Sequence, residues 1–282
     1  MNTFVWTFLI WLGSVLAGFL GALTGLGGGV VLVPMLVLGF GVDIRYAAGA
    51  SLVSVIATSS GAAAAYVKEG FSNIRIGMFL EIATTLGALA GAFEASRLST
   101  AAISVIFGAV LIYSAFLSIR GRHPPGNGHP ADLPADPLAV RLKMDGSEPT
   151  PEGPRAYHVR NVVKGFGLMF GAGVLSGLLG IGSGAVKVLA MDQVMQIPFK
   201  VSTTTSNFMI GVTAAASAGV YLNRGYIDPG LSMPVMLGVL LGALLGAREL
   251  IRARTRVLRL LFGGIILVLA IEMIYNGLTG SL

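Results

Sequence analysis

The chain has 282 residues, 54% of them hydrophobic and only 11% charged, where soluble domains carry about a quarter charged residues. Having no cysteine, it can form neither a disulfide nor a thiolate metal site, and it has no cysteine nucleophile. The net charge of +6 would suit nucleic acid in a soluble protein. In a chain this apolar it fits cytoplasmic loops rich in Lys and Arg, so no nucleic-acid partner is expected.

The first apolar run, residues 4–24, lies in a stretch without a charged side chain from Met1 to Val42. It has no basic leader and is too long for the apolar part of a cleavable signal, so it reads as a membrane span. Further runs follow at 30–42, 44–67, 74–96 and 100–119. A polar segment, 121–161, then holds eight of the twelve prolines and all three histidines, His123, His129 and His158. Those histidines stand too far apart for a metal cluster, and no metal or cofactor is expected. Within the segment, "LAVRLKM", "DG" and "AYHVR" alternate apolar and polar residues, which fits a small hairpin; a disordered linker fits equally. Five more apolar runs close the chain, at 162–179, 185–197, 200–222, 230–248 and 257–276. The expected fold class is therefore an all-α polytopic membrane protein embedded in a lipid bilayer. Its parts are a first transmembrane repeat (1–120), a polar cytoplasmic loop (121–161) and a second transmembrane repeat (162–282).

The two halves are copies. Shifted by 155 positions, Ala17 to Ile119 match the second half without a gap, with 28 identities in 103 positions. The pairs Tyr66/Tyr221, Met78/Met233, Glu94/Glu249, Arg97/Arg252 and Phe107/Phe262 are too rare to be accidents of composition. An internal duplication follows. The second run of each copy has thirteen residues, about 20 Å of helix against a bilayer core of about 30 Å.

Charge decides whether that short run crosses. If it does, and the N-terminus is outside, fifteen Lys and Arg face the cytoplasm, with Arg45, Arg97 and Arg224 outside and Lys187 within the membrane. If it does not, the better orientation splits the same charges ten against eight. The positive-inside rule selects the crossing arrangement. Each repeat then has about five segments, the two are inverted, and both termini lie outside an inner-membrane bilayer.

Inverted repeats with glycine-interrupted short segments at matched places are the sequence signature of secondary transporters. The clusters are "GLGGG" (Gly25, Gly27, Gly28 and Gly29 being its glycines) and "GIGSG" (Gly180, Gly182, Ser183, Gly184). Backbone can break at membrane depth only beside protein or a water-lined cavity. The clusters are thus expected to end one helix, start a half-helix and line a binding site. The alternative is close helix packing, the role expected of "GALLGA" at Gly242 to Ala247. "GLGGGV" lacks the last glycine of a dinucleotide fingerprint, and "GSGAVK" lacks the spacing of a nucleoside-triphosphate loop. No HExxH or GxSxG motif is present either, so no enzyme is expected.

Together "LTGLGGGVVLVP", "GIGSG", "GASLVSVIATSSGA" and "STTTSNFMIGVTA" resemble the TauE/SafE sulfite exporter family, the TSUP transporters, over both halves. The resemblance implies transport of sulfite, of sulfonates such as sulfoacetate, or of related organosulfur anions across the inner membrane. A passive anion channel, or a carrier of other organic anions, is the alternative.

Lys187 follows Gly184 by three residues, and a cation at membrane depth costs about 2.5–3.5 kcal/mol. It would hold an anionic substrate, or else snorkel to the outer surface or pair with Asp192. "STTTSNF" (202–208) supplies donors that bind oxyanions without added charge, although such residues also bond their own helix. Ser206 and Asn207 of that stretch, Ser51 at the position matched to Ser206, and the matched pair Thr58 and Thr213 are the candidates. Glu81, with Met236 at its matched position, could carry a coupling proton, sodium being the other coupling ion, or could make a structural hydrogen bond. Glu94 with Arg97 reads as a surface pair, and Tyr66 and Tyr221 as interfacial aromatics.

Overall fold

A computed structural model describes residues 3–24, 28–68, 72–120, 136–150, 153–250 and 255–279. The first half runs α1 (Thr3–Thr24), α2 (Gly29–Pro34), α3 (Ile44–Lys68), α4 (Ile74–Ala95) and α5 (Thr100–Arg120). The polar segment contributes α6 (Pro137–Arg141), β1 (Gly146–Thr150) and β2 (Gly153–Tyr157). The second half runs α7 (Val162–Leu179), α8 (Gly184–Leu189), α9 (Phe199–Asn223), α10 (Pro229–Leu250) and α11 (Thr255–Thr279). The starts of α8, α9, α10 and α11 each lie 155 residues after those of α2, α3, α4 and α5. The sequence duplication is a structural one.

The short helices share an unusual ending. α2 runs on as a π-helical stretch, Met35–Gly39, and α8 as another, Ala190–Val194. Pro34 closes the α-helical part of the first, but Leu189 stands at the same place in the second. The wider turn is therefore not a proline effect. It is the kind of local irregularity that gathers at functional sites.

Glycines set the helix packing. A Cβ on Gly18 would strike the Val239 carbonyl, and one on the matched Gly173 would strike that of Thr84. Gly242 meets Val15 and the matched Gly87 meets Phe170 in the same way. So α1 lies backbone to backbone on α10, and its counterpart α7 lies on α4, through small residues at four-residue spacing. Gly242, which opens "GALLGA", packs as expected. Residues that rise along α4 meet residues that rise along α7: Gly87 touches Phe170 and Val174, and Gly91 touches Val174 and Leu178. The matched helices α3 and α9 run the opposite way to each other, with Gly49 against Tyr226 and Ser59 against Gly211. So do α5 and α11, with Ala101 beside Gly277 and Gly108 beside Ala270.

Among the described residues, four helices are long and apolar enough to cross a membrane by length and composition, in α1, α4, α7 and α10. α9 is as long, at 25 residues, but its hydroxyl-rich start dilutes its hydropathy. Phe4, Met78, Leu86, Leu244, Val268 and Leu278 are all exposed, an outward apolar surface that suits lipid and would be a liability in water. The exposed pair of Glu94 and Arg97 forms as read, at 2.8 Å. Tyr221 does not lie at an interface: it is buried and donates from its hydroxyl to the Leu178 carbonyl at 3.1 Å. The side chains of Tyr66, Glu249 and Arg252 lie outside the described residues.

The polar segment holds a hairpin, but not with the strands that alternation suggested. "LAVR" is one turn of helix, because Asp136 caps it by accepting from the Leu138 N–H and Pro137 fills the first position. The strands pair Gly146 with Tyr157 through Thr150 with Gly153. Asn73 fastens this unit to the membrane helices. Its side-chain oxygen caps α4 by accepting from the Ile76 N–H, while its amide donates to the Met144 carbonyl and the Tyr157 hydroxyl. Burial pushes the Tyr157 phenol above its ordinary pKa, so it stays a neutral partner. Asn73→Ala should lower stability by about 2 kcal/mol, a lost cap plus orphaned buried partners, read as a lower melting temperature in detergent. Asn73→Asp keeps the cap and should fall between.

Candidate functional site

Lys187 projects from α8 and is 0% exposed. Neither local alternative describes it: it does not reach the surface, and its partner is not Asp192. Its ammonium donates to Thr213 Oγ1 on α9 at 2.6 Å. Thr213 Oγ1 lies 2.7 Å from Glu81 Oε1 on α4, and that carboxylate oxygen also accepts from Thr85 at 3.1 Å. Thr84 stands 3.4 Å from the Thr213 hydroxyl. A hydroxyl has one hydrogen to give and lone pairs to accept with. Thr213 can accept from the ammonium and donate to the carboxylate, so it relays between two buried charges of opposite sign. Burying either charge alone would cost several kcal/mol, and the pair offsets that cost.

The network joins the halves, since Glu81 belongs to the first and Lys187 and Thr213 to the second. It exists once. The matched positions are Leu32, Thr58 and Met236, and Thr58 spends its hydroxyl on its own helix, on the Ser54 and Val55 carbonyls.

The break before α8 is built from left-handed residues. Gly180, Gly182 and Ser183 have φ of +70°, +72° and +46°. At Gly180 a side chain is also excluded by space, because a Cβ would lie 2.6 Å from the Ala48 carbonyl oxygen of α3. Ser51 donates to the Gly180 carbonyl at 2.7 Å, and Ser206 to that of Gly184 at 3.3 Å. Ser51 thus satisfies a carbonyl at the open end of α7, while Ser206 ties α9 to the first residue of α8. Gly29 sits against Ser51 and Ile181, within 2.6 and 3.2 Å of where its Cβ would be, so the described ends of the two breaks touch. Gly28 and Gly29 are helical, Gly28 at φ −63°. Gly25 and Gly27 lie outside the described residues. Asn207 is half-buried and is not part of the lysine network.

Two buried polar atoms here make no hydrogen bond among the described residues: Glu81 Oε2 and Ser183 Oγ. Ser183 precedes Lys187 by one helical turn, and its carbonyl accepts from the Lys187 N–H. Natural structures satisfy nearly all such atoms, and each exception asks for a reason. Thr84 and Thr85 are the members the sequence reading missed. The signal was there: hydroxyls three and four residues after an intramembrane acid lie on its face of the helix.

Comparison with known proteins bears on what this arrangement serves. The family model "Sulfite exporter TauE/SafE" matches residues 10–273. The chain belongs to the sulfite exporter TauE/SafE family. It is 27% identical over 273 residues to the probable membrane transporter protein YunE of Bacillus subtilis (strain 168), covering 94% of this chain and 96% of YunE. It is 25% identical over 229 residues to YdhB, another probable membrane transporter protein of that organism, covering 80% and 82%. No solved structure matches. As a TauE/SafE member the chain is a multi-pass membrane transporter and not an enzyme.

Proposed function

We propose that the protein is a secondary transporter of small anions, of sulfite or an organosulfonate in particular, and that Lys187 holds the anion. The observation that carries this reading is a fully buried lysine beside a glycine break, with the Ser183 hydroxyl left over one turn away. Ammonium, hydroxyl and the first N–H groups of a broken helix are the donors a sulfonate or sulfite oxygen needs. Thr213 and Ser206 flank the same hinge, and the glycines Gly180, Gly182 and Gly184 let it bend. No nucleotide loop accompanies the site, so gradients drive it.

The halves are proposed to be inverted. A two-fold axis that makes matched helices antiparallel must lie across them, in the membrane plane. Antiparallel α3/α9 and α5/α11 support that, as do fifteen basic residues on one side. Both termini are then outside and residues 121–161 are cytoplasmic, between repeats 1–120 and 162–282.

Proteoliposomes of the purified chain, offered labelled sulfite, isethionate, sulfoacetate, taurine and acetate, test the reading. Saturable uptake of the sulfur oxyanions, competed by one another, is expected. Uptake of acetate alone, or of none, would refute it.

A further inference from the structure

The buried acid has a use that an anion site alone does not require. We propose that Glu81 and Lys187 exchange partners through Thr213, so that one proton enters with each monovalent anion. This rests on the reading of Lys187 as the anion holder. In the arrangement described, the ammonium is engaged by Thr213, which is engaged by Glu81. An arriving anion takes the ammonium's hydrogen bonds. The Glu81 carboxylate then loses its cation, and a proton from water adds to it to give the neutral acid. The site is neutral before, as ammonium with carboxylate, and neutral after, as ammonium with anion beside a protonated acid. No charge is left uncompensated in the membrane at either stage, which is the condition a low-dielectric site imposes. Thr213 needs only to turn its hydroxyl, giving its hydrogen to the carboxylate first and afterwards to its own helix through the Met209 carbonyl, 2.9 Å away.

Several features favour this over a static ion pair. One carboxylate oxygen, Oε2, is buried and makes no hydrogen bond among the described residues, where a proton can sit. The partners come from opposite halves, so breaking their link frees the halves to move. The relay is also absent from the matched place, where Leu32, Thr58 and Met236 stand, so only one of the two matched places is charged. An open groove of about 240 Å³ runs between α4 and α9, lined by Leu89, Phe93, Ala216, Asn223 and Arg224. None of the relay residues lines it; its nearest approach along α9 is Ala216, three residues after Thr213, and Arg224 stands at its other end.

The groups facing the relay are few. Lys187 from α8 faces Glu81, with Thr213 from α9 and Thr84 and Thr85 from its own helix. α7, on the other side of α4, carries Lys164 as its one titratable side chain, exposed and nine residues before the Gly173 that meets Thr84, about 13 Å along the helix. α9 carries exposed Lys200 thirteen residues before Thr213, and Asp192 follows Lys187 by five in the half-buried π-helical stretch. α3, behind α9, has Arg45 and Lys68 only at its ends.

The test uses the whole chain in vesicles that trap a pH dye, with labelled isethionate, whose sulfonate keeps its charge at any working pH. With the membrane potential clamped at zero, one unit of pH, acid outside, should accumulate isethionate about tenfold, and the dye should report one proton per anion. Glu81→Gln should abolish both while isethionate exchange persists at a slower rate. Accumulation that ignores the pH gradient in the wild-type chain would overturn the proton exchange and leave the anion site standing. Failure of isethionate and sulfite to move at all would overturn both. The dye measurement needs no variant, so it decides even if Glu81→Gln does not fold.

Discussion

Vesicles carrying Lys187→Met will take up isethionate and sulfite about a hundredfold more slowly than the wild type. That is the loss of about 3 kcal/mol of charged hydrogen bonding to the anion. Methionine fills nearly the same volume, so packing is kept while the charge goes. The same change should destabilise the protein, because Glu81 stays buried behind Thr213 without its counter-charge. Removing one partner of a buried pair costs about 3–5 kcal/mol. The double variant Lys187→Met with Glu81→Gln separates the two effects. It should recover most of the melting temperature, since no unpaired charge remains, and none of the transport. If it recovered transport as well, Lys187 would be a structural residue and the anion would bind elsewhere. Measured as a cycle with the Glu81→Gln chain, the coupling between the two sites in stability should be large, although only Thr213 joins them.

Gly180→Ala should damage the protein twice over, through the backbone and through space. The left-handed backbone costs a non-glycine residue roughly 1–2 kcal/mol. The new Cβ would also lie 2.6 Å from the Ala48 carbonyl oxygen, and backbone cannot step aside as a side chain can; such overpacking adds about 1–3 kcal/mol. Together these approach the whole stability margin of a marginal fold. Assembled protein recovered from the membrane should fall sharply, and what remains should transport poorly, because α3 is pushed off the hinge. Gly225 supplies the control. Its φ is +75° and nothing lies within 4 Å of its Cβ position, so Gly225→Ala carries the backbone cost without the clash. Equal damage from both substitutions would mean that the close approach of α3 to the hinge contributes nothing.

Much of this architecture can be read from the chain. Matched residues at a constant offset fixed where helices begin and end, because each half must bury the same faces. The glycine clusters announced the breaks, since several glycines in an uncharged run serve a helix badly unless the backbone must bend or be approached. Lys187, Thr213 and Glu81 each drew notice singly, as polar groups at membrane depth. Their meeting was not legible. They sit on three helices, and only the crossing of α4 over α9 brings them together. The acid nearest in sequence, Asp192, was the natural partner to suspect, yet it follows Lys187 on the same short element. Ser51 and Ser206 looked like donors to a substrate because hydroxyls near a hinge suit that role. In the fold they donate to the Gly180 and Gly184 carbonyls, which a linear reading cannot see because it does not show which backbone the helices α3 and α9 pack against. The hairpin was displaced for a simpler reason: Asp136 and Pro137 start a helical turn, and alternation alone is blind to caps.

A density map of the protein with bound 2-bromoethanesulfonate, whose bromine marks the ligand, would examine the anion site directly. The sulfonate is expected within hydrogen-bonding distance of Lys187 Nζ and the Ser183 hydroxyl, with the bond from Lys187 to Thr213 broken. A sulfonate bound elsewhere, with Lys187 still tied through Thr213 to Glu81, would contradict it.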